Sequence, residues 1–195
     1  MRIIFALLII ILHCLCSYGS EPNEYSEITN DKKIILVLNS LNKTPQDAKT
    51  KATILGDNLS KKSIKILFVN LFEFTKGSDD DALTCMDKSG NLYILIDNLH
   101  RDAPVEALMS LLSHEVVHQD YKDSKVEELQ GWMNEVTEWV ALKNLNPSLK
   151  NIPENKFPLV DRLNAIEKMY LSGGNTPKNI YAQIQINPAY INTPD

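Results

Sequence analysis

The residues best suited to chemistry in this chain stand together, in the segment His114-Glu115-Val116-Val117-His118. Residues four apart on a helix lie on the same face, so the two imidazoles can point at one place. Zinc binds such neutral nitrogen ligands at about 2.0–2.1 Å, and a catalytic zinc site keeps one position for water. Glu115 follows the first histidine, where its carboxylate can take a proton from that water and deliver it to a leaving amine. The spacing therefore predicts one zinc ion per chain, held by His114 and His118, with Glu115 as the general base.

A third zinc ligand is expected from the glutamates of the next helix. The connection after His118 is only about five residues long, which is typical of two antiparallel neighbouring helices. In that arrangement Glu128 lies level with the histidines, and Gly131 lets the two helices approach closely. Glu127 is level with them too, but the capping box that begins at Ser124 turns it toward its own helix end. Glu128 is therefore the predicted ligand. Two later glutamates of the same helix remain as alternatives, Glu135 and Glu138.

Two more residues lie near enough to this segment to be weighed as site residues. His100 precedes the histidine-bearing helix and can be either a loop residue or part of the site. Tyr121, in the connecting loop, has a hydroxyl that could stabilise a developing oxyanion.

The pattern of apolar residues predicts an α+β fold. Helical spacing and helix-start signals predict helices over residues 31–41, 44–58, 102–118, 124–145 and 158–171. Runs of β-branched and aromatic residues predict strands over residues 64–71, 82–87 and 91–97, the last two forming a hairpin with Gly90 in its turn. We therefore expect a short antiparallel sheet packed on the helix that carries His114 and on the antiparallel helix after it. Residues 173–195, rich in proline and asparagine, are expected to form an extended tail.

The first 19 residues have the layout of a secretory signal peptide. Arg2 gives a positive start, residues 3–12 form an apolar run, and Ser17 and Gly19 are small residues at the −3 and −1 positions of a cleavage point. The apolar run is too short to cross a bilayer. We therefore predict export to the periplasm or the medium, one domain over residues 20–172, and no stable membrane anchor after cleavage.

Charge and cysteine content narrow the classes of partner. The chain has 20 Lys and Arg against 25 Asp and Glu, a net charge of −5, and removal of residues 1–19 takes away only Arg2, which makes it −6. An acidic chain without a basic stripe is a poor match for nucleic acid, so no nucleic-acid partner is expected. Of the 3 cysteines only Cys85 lies beyond residue 19, so no internal disulfide is expected.

The region from about residue 91 to residue 145 resembles the zincin superfamily of metallopeptidases, and most closely its gluzincin branch, in which a glutamate is the third ligand. The resemblance consists of a strand, the H-E-x-x-H helix and a following helix with glutamates. It implies a zinc metallopeptidase that acts on a peptide or protein substrate, with His114 and His118 as ligands and Glu115 as the base. It also implies that strand 92–97 is the edge strand along which an extended substrate aligns.

The resemblance bears on the third ligand as well. Gluzincins carry an E-x-x-A pattern in the second helix, which the segment from Glu128 to Gly131 fits with glycine in place of alanine. The segment from Glu138 to Ala141 matches the same pattern literally. The metzincin branch requires a third histidine soon after the motif, and because no histidine follows His118 that branch is excluded.

Two other functions remain as alternatives. A different zinc amide hydrolase is one, since peptide deformylases also use H-E-x-x-H with an upstream cysteine, here Cys85; the residues around Cys85 do not resemble their cysteine motif. The other is a non-catalytic zinc-binding module. Structural zinc sites use four protein ligands, so that module would need a further donor such as His100.

Overall fold

The computed structural model describes residues 24–75, 80–120, 124–172, 176–186 and 194–195. The fold is α+β, as predicted. Its α-helices within the described residues are α1 (Lys32–Ser40), α2 (Pro45–Ile54), α3 (Leu71–Thr75), α4 (Val105–Glu115), α5 (Lys125–Leu145), α6 (Pro158–Leu171) and α7 (Thr176–Ile186). Its strands are β1 (Lys65–Val69), β2 (Ala82–Met86) and β3 (Leu92–Asp97), and short 3-10 turns span Asn98–His100 and Pro147–Asn151. The predicted signal peptide, residues 1–19, lies outside the described residues.

The first two helices begin where their capping residues predict. The Asp31 carboxylate accepts hydrogen bonds from the backbone N–H groups of Lys33 and Ile34 at the start of α1. Thr44 and Asp47 form a reciprocal capping box at the start of α2, with a proline in the first turn. These contacts satisfy backbone donors that have no partner inside the helix.

The sheet is mixed, which corrects the prediction of an antiparallel sheet. The strand order is β1-β3-β2; β2 is antiparallel to β3, whereas β1 is parallel to it, with Lys65 opposite Tyr93. The chain passes through α3 and β2 between β1 and β3, and a crossover of this length lets two strands run in the same direction. The predicted edge strand β3 is therefore the central strand, and β2 is an edge of the sheet.

Helices α4 and α5 pack against each other in antiparallel orientation, as predicted. The Asn134 side chain donates to the backbone oxygen of Ser113 at 3.4 Å, and near the other end the Asn146 side chain donates to Glu106 at 3.1 Å. Residue numbers therefore increase along α5 in the direction in which they decrease along α4. Apolar side chains of β3, α4 and α5 form the main core, including Ile94, Ile96, Leu108, Leu112, Trp139 and Leu142.

The C-terminal region differs from its prediction. Residues 176–186 are helical rather than extended, and Ile180 and Ile184 of α7 pack on Val136 and Ile166. The apolar pair lies four residues apart, which is helical spacing, and the proline at position 177 falls in the first turn, where it is tolerated. No helix in the described part of the chain is long and apolar enough to span a membrane.

Candidate metal centre

The two histidines come from the end of α4 and the turn that follows it. The helix ends at Glu115, and the next backbone bonds join residues three apart: Val117 N–H to the His114 oxygen at 3.0 Å and His118 N–H to the Glu115 oxygen at 3.2 Å. His118 therefore lies beyond the helix, not on it as predicted. The tighter turn still brings the imidazole rings together, with centroids 5.5 Å apart.

Glu128, in the first turns of α5, brings its carboxylate between the two imidazoles. Its Oε2 lies 3.5 Å from His114 Nε2 and its Oε1 lies 3.5 Å from His118 Nε2. The three side chains are buried, with 6–7% of each residue exposed. One possible ligand atom from each of the three residues lies within 4.8 Å of the other two, close enough to surround a single ion. His114, His118 and Glu128 thus form a buried group, the donor group, that could hold a metal ion.

Gly131 makes the close approach of α5 to His114 possible, as predicted. A Cβ atom at position 131 would lie 2.6 Å from His114 Cδ2 and 2.7 Å from His114 Nε2. Real Cβ atoms do not approach other heavy atoms this closely, and a buried ring has little room to move. The glycine therefore acts by leaving space for the imidazole, with its backbone in ordinary helical conformation.

Glu115 lies beside the donor group and is held by the edge strand β2. The Thr84 hydroxyl donates to Glu115 Oε2 at 2.7 Å and also lies 3.0 Å from the Glu115 backbone oxygen. Burial raises the pKa of the Glu115 carboxyl, and this effect outweighs the opposing influence of His114, His118 and the Thr84 hydrogen bond. The carboxylate is thus fixed in place and a stronger base than an exposed glutamate.

Glu135 contacts the other nitrogen of the His114 ring. Its Oε2 lies 3.5 Å from His114 Nδ1, and its two oxygens accept hydrogen bonds from the Arg162 guanidinium at 2.8 and 2.5 Å. Burial lowers the pKa of His114, but the carboxylates of Glu128 and Glu135 outweigh it and raise that pKa to about 10. Glu135 is therefore a neighbour of a candidate ligand and not a member of the donor group.

Glu138, the other alternative ligand, lies in a different cluster. It accepts a hydrogen bond from the Thr44 hydroxyl at 2.7 Å and adjoins Asp47 at the start of α2. Burial and the neighbouring Asp47 carboxylate raise the pKa of Glu138 to about 7. Its literal E-x-x-A match therefore does not place it at the histidines.

Two further sequence candidates, His100 and Cys85, are not members of the donor group found among the described residues. His100 is buried and its Nε2 lies 2.5 Å from Asp81 Oδ1. Cys85 follows Thr84 on β2, and because successive strand residues face opposite sides, it faces away from Glu115. Tyr121 lies outside the described residues.

Sequence reasoning missed Thr84 and Arg162. Nothing in the alternation of β2 distinguishes Thr84 as a partner of Glu115. Arg162 did carry a signal, since it lies on the same helical face as the buried Leu159, Leu163 and Ile166. A charged residue within a buried apolar stripe indicates a buried partner.

No protein-family model, no curated protein and no solved structure matches this chain.

Proposed function

We propose that this protein is a zinc-dependent metallopeptidase that hydrolyses peptide bonds. The observation that carries the proposal is the buried group of His114, His118 and Glu128, with Glu115 adjacent to it. Two imidazoles and one carboxylate are a donor set that zinc favours in catalytic sites. When bound there, zinc polarises a carbonyl group and makes water a stronger nucleophile.

Glu115 is the proposed general base. Its carboxylate is buried and its position is held by the 2.7 Å hydrogen bond from Thr84. A general base works best when its pKa lies near the pH at which the enzyme acts, and burial moves the pKa of Glu115 in that direction. After accepting a proton from water, the same carboxyl can protonate the departing amine.

The number of donors supports catalysis over a structural role. The candidate group in the described part of the chain has three members, whereas structural zinc sites normally have four protein ligands. A three-ligand site keeps a position for water or substrate.

The position of β2 supports a peptide as substrate. This strand is an edge of the sheet, and its Thr84 contacts Glu115 directly. Edge strands bind extended peptides through backbone hydrogen bonds, which would bring a peptide bond next to the base. The signal peptide predicted from residues 1–19 suggests substrates outside the cytoplasm.

The proposal is tested by comparing purified wild-type protein with Glu115→Gln. We expect one zinc per chain in both by elemental analysis. Hydrolysis of a mixed fluorogenic peptide library should fall about 100-fold or more in the variant, the lower end of the range for losing a general base. Glu127→Gln is the control, because that glutamate lies one residue before Glu128 but outside the donor group.

Two outcomes would contradict this function. If the wild-type protein retains no zinc after dialysis against trace zinc, the proposed zinc site is wrong. Zinc retained by wild-type protein together with peptide hydrolysis that Glu115→Gln leaves unchanged, or that never occurs, would favour a non-catalytic zinc-binding module.

A further inference from the structure

We propose that Arg162 is a positioning residue of the metal centre, acting through Glu135 to orient His114 toward the metal. This inference rests on the proposed function for the existence of the zinc site. It adds a residue from a third helix, α6, to a centre otherwise built from α4, the following turn and α5.

The contacts form one continuous series from the donor group to α6. Glu135 Oε2 lies 3.5 Å from His114 Nδ1, on the side of the ring opposite the nitrogen that faces Glu128. Both Glu135 oxygens accept hydrogen bonds from Arg162, at 2.8 and 2.5 Å. Glu135 is 0% exposed, so the guanidinium supplies the positive charge that its ionised form needs in the interior.

Arg162 is itself held from a second side. Its Nε contacts Asp81 Oδ2, and the other oxygen of Asp81 lies 2.5 Å from His100 Nε2. Asp81 directly precedes β2, the strand that contacts Glu115. The guanidinium therefore lies between two carboxylates and links α5 and α6 to the segment that enters β2.

This arrangement has a definite consequence for the His114 ring. A carboxylate at Nδ1 favours the form of the imidazole that carries its proton there, which leaves Nε2 free to bind a metal. Two parallel hydrogen bonds from an arginine fix a carboxylate in angle as well as position. His118 Nδ1, in contrast, has no hydrogen-bond partner within the part of the chain that is described. Orientation through a fixed carboxylate thus applies to His114.

The chain contains a matched control for this test. Lys143 of α5 pairs with Glu167 of α6 and donates to Asn164 Oδ1 at 3.0 Å, so it joins the same two helices. The Lys143 side chain is 11% exposed, and its partners include no member of the donor group. Lys143→Met therefore removes a comparable ion pair without altering Glu135.

The test measures zinc affinity by competition with a chromophoric chelator. We expect Arg162→Met to bind zinc about 10–100-fold more weakly than wild type, the usual cost of losing an outer-shell partner of a ligand. Lys143→Met should stay within about twofold, since it leaves the partners of His114 in place. The visible absorption spectrum of the cobalt-substituted protein should also change in Arg162→Met and not in Lys143→Met.

A double variant tests whether Arg162 acts through Glu135. Arg162→Met combined with Glu135→Gln should bind zinc no more weakly than Glu135→Gln alone. If Arg162 acts through Glu135, the effects of the two substitutions on zinc affinity do not add. Should Arg162→Met fail to fold, Glu135→Gln, which keeps the side-chain size, is measured against Lys143→Met in the same way.

The outcomes separate this inference from the proposed function. If wild type binds zinc and Arg162→Met binds it equally well, the positioning role is wrong and the zinc site stands. Equal losses in Arg162→Met and Lys143→Met would also overturn it, because the effect would then come from helix packing. If wild type does not bind zinc, the zinc site is wrong, and the positioning role of Arg162 is wrong with it.

Discussion

Glu135 and Glu138 lie three residues apart on the same helix, yet their carboxyl groups have opposite properties. They are 0% and 1% exposed. Burial raises the pKa of both, but the Arg162 charge and the His114 contact bring that of Glu135 down to about 2. Glu138 has the Thr44 hydroxyl and a second carboxyl, Asp47, as neighbours, and its pKa rises to about 7.

The comparison shows that burial alone does not decide the charge state of a glutamate. Moving an ionised carboxyl out of water is costly, and a nearby positive charge offsets that cost while a second carboxyl adds to it. Three buried glutamates of α5 thus have three surroundings: imidazoles at Glu128, a guanidinium at Glu135 and a carboxyl at Glu138. Three substitutions on α5 test how these surroundings differ.

Glu135→Gln should have the largest effect on stability. Among the described residues, the change leaves the partly buried Arg162 with Asp81 as its one carboxylate partner. We therefore expect the free energy of unfolding to fall by about 3 kcal/mol, the lower end of the range for breaking a buried pair. Urea denaturation at pH 8 with a chelator present measures it without any contribution from metal. Glu154→Gln, at an exposed position, should change stability by no more than about 0.5 kcal/mol. A cost for Glu135→Gln as small as this would mean that its ion pair with Arg162 contributes little.

Gly131→Ala should have an intermediate effect and should also weaken zinc binding. The added Cβ would meet the His114 ring at 2.6 Å, and overpacking of this kind costs about 1–3 kcal/mol. The better helix propensity of alanine offsets at most about 1 kcal/mol of that. Urea denaturation and chelator competition measure the two effects. Gln130→Ala, at the preceding exposed position, is the control, and a more stable Gly131→Ala protein with full zinc affinity would show that the ring can move aside.

Glu138→Gln should have the smallest effect on zinc binding, and its effect on stability should be opposite in sign to that of Glu135→Gln. Because the pKa of Glu138 in the folded protein, about 7, lies above the ordinary 4.5, the folded state holds a proton that the unfolded chain has already released between these pH values. Stability of wild type therefore falls as pH rises from about 5 through 7, by about 1–3 kcal/mol.

The variant lacks that titration, so it should be more stable than wild type at pH 8, and its advantage should disappear near pH 5. Urea denaturation of both proteins across this pH range measures the difference, and zinc affinity should stay within about twofold of wild type. A difference in stability that does not vary with pH would show that Glu138 is not the group that titrates.

The elements with strong local signals were predictable from the sequence. Capping residues and helical spacing located α1, α2, α5 and α6, and the glycine-containing turn located the β2–β3 hairpin. The strand β1 was predicted, but its parallel pairing with β3 was missed, and so was helix α7. Strand pairing depends on how distant segments meet, and α7 packs through few apolar residues within a polar segment, so neither leaves a strong local pattern.

The sequence alone located the two histidines, the adjacent glutamate and the helix that carries Glu128, because these depend on residue type and short spacing. It also determined that Glu128 and Gly131 lie level with the histidines, since a short connection between antiparallel helices leaves little freedom. Packing in three dimensions selected which glutamates pair with Arg162 and with Asp47, and it brought Thr84 to Glu115. Those contacts join residues 27 to 91 positions apart, too far along the chain for local spacing to select the partner.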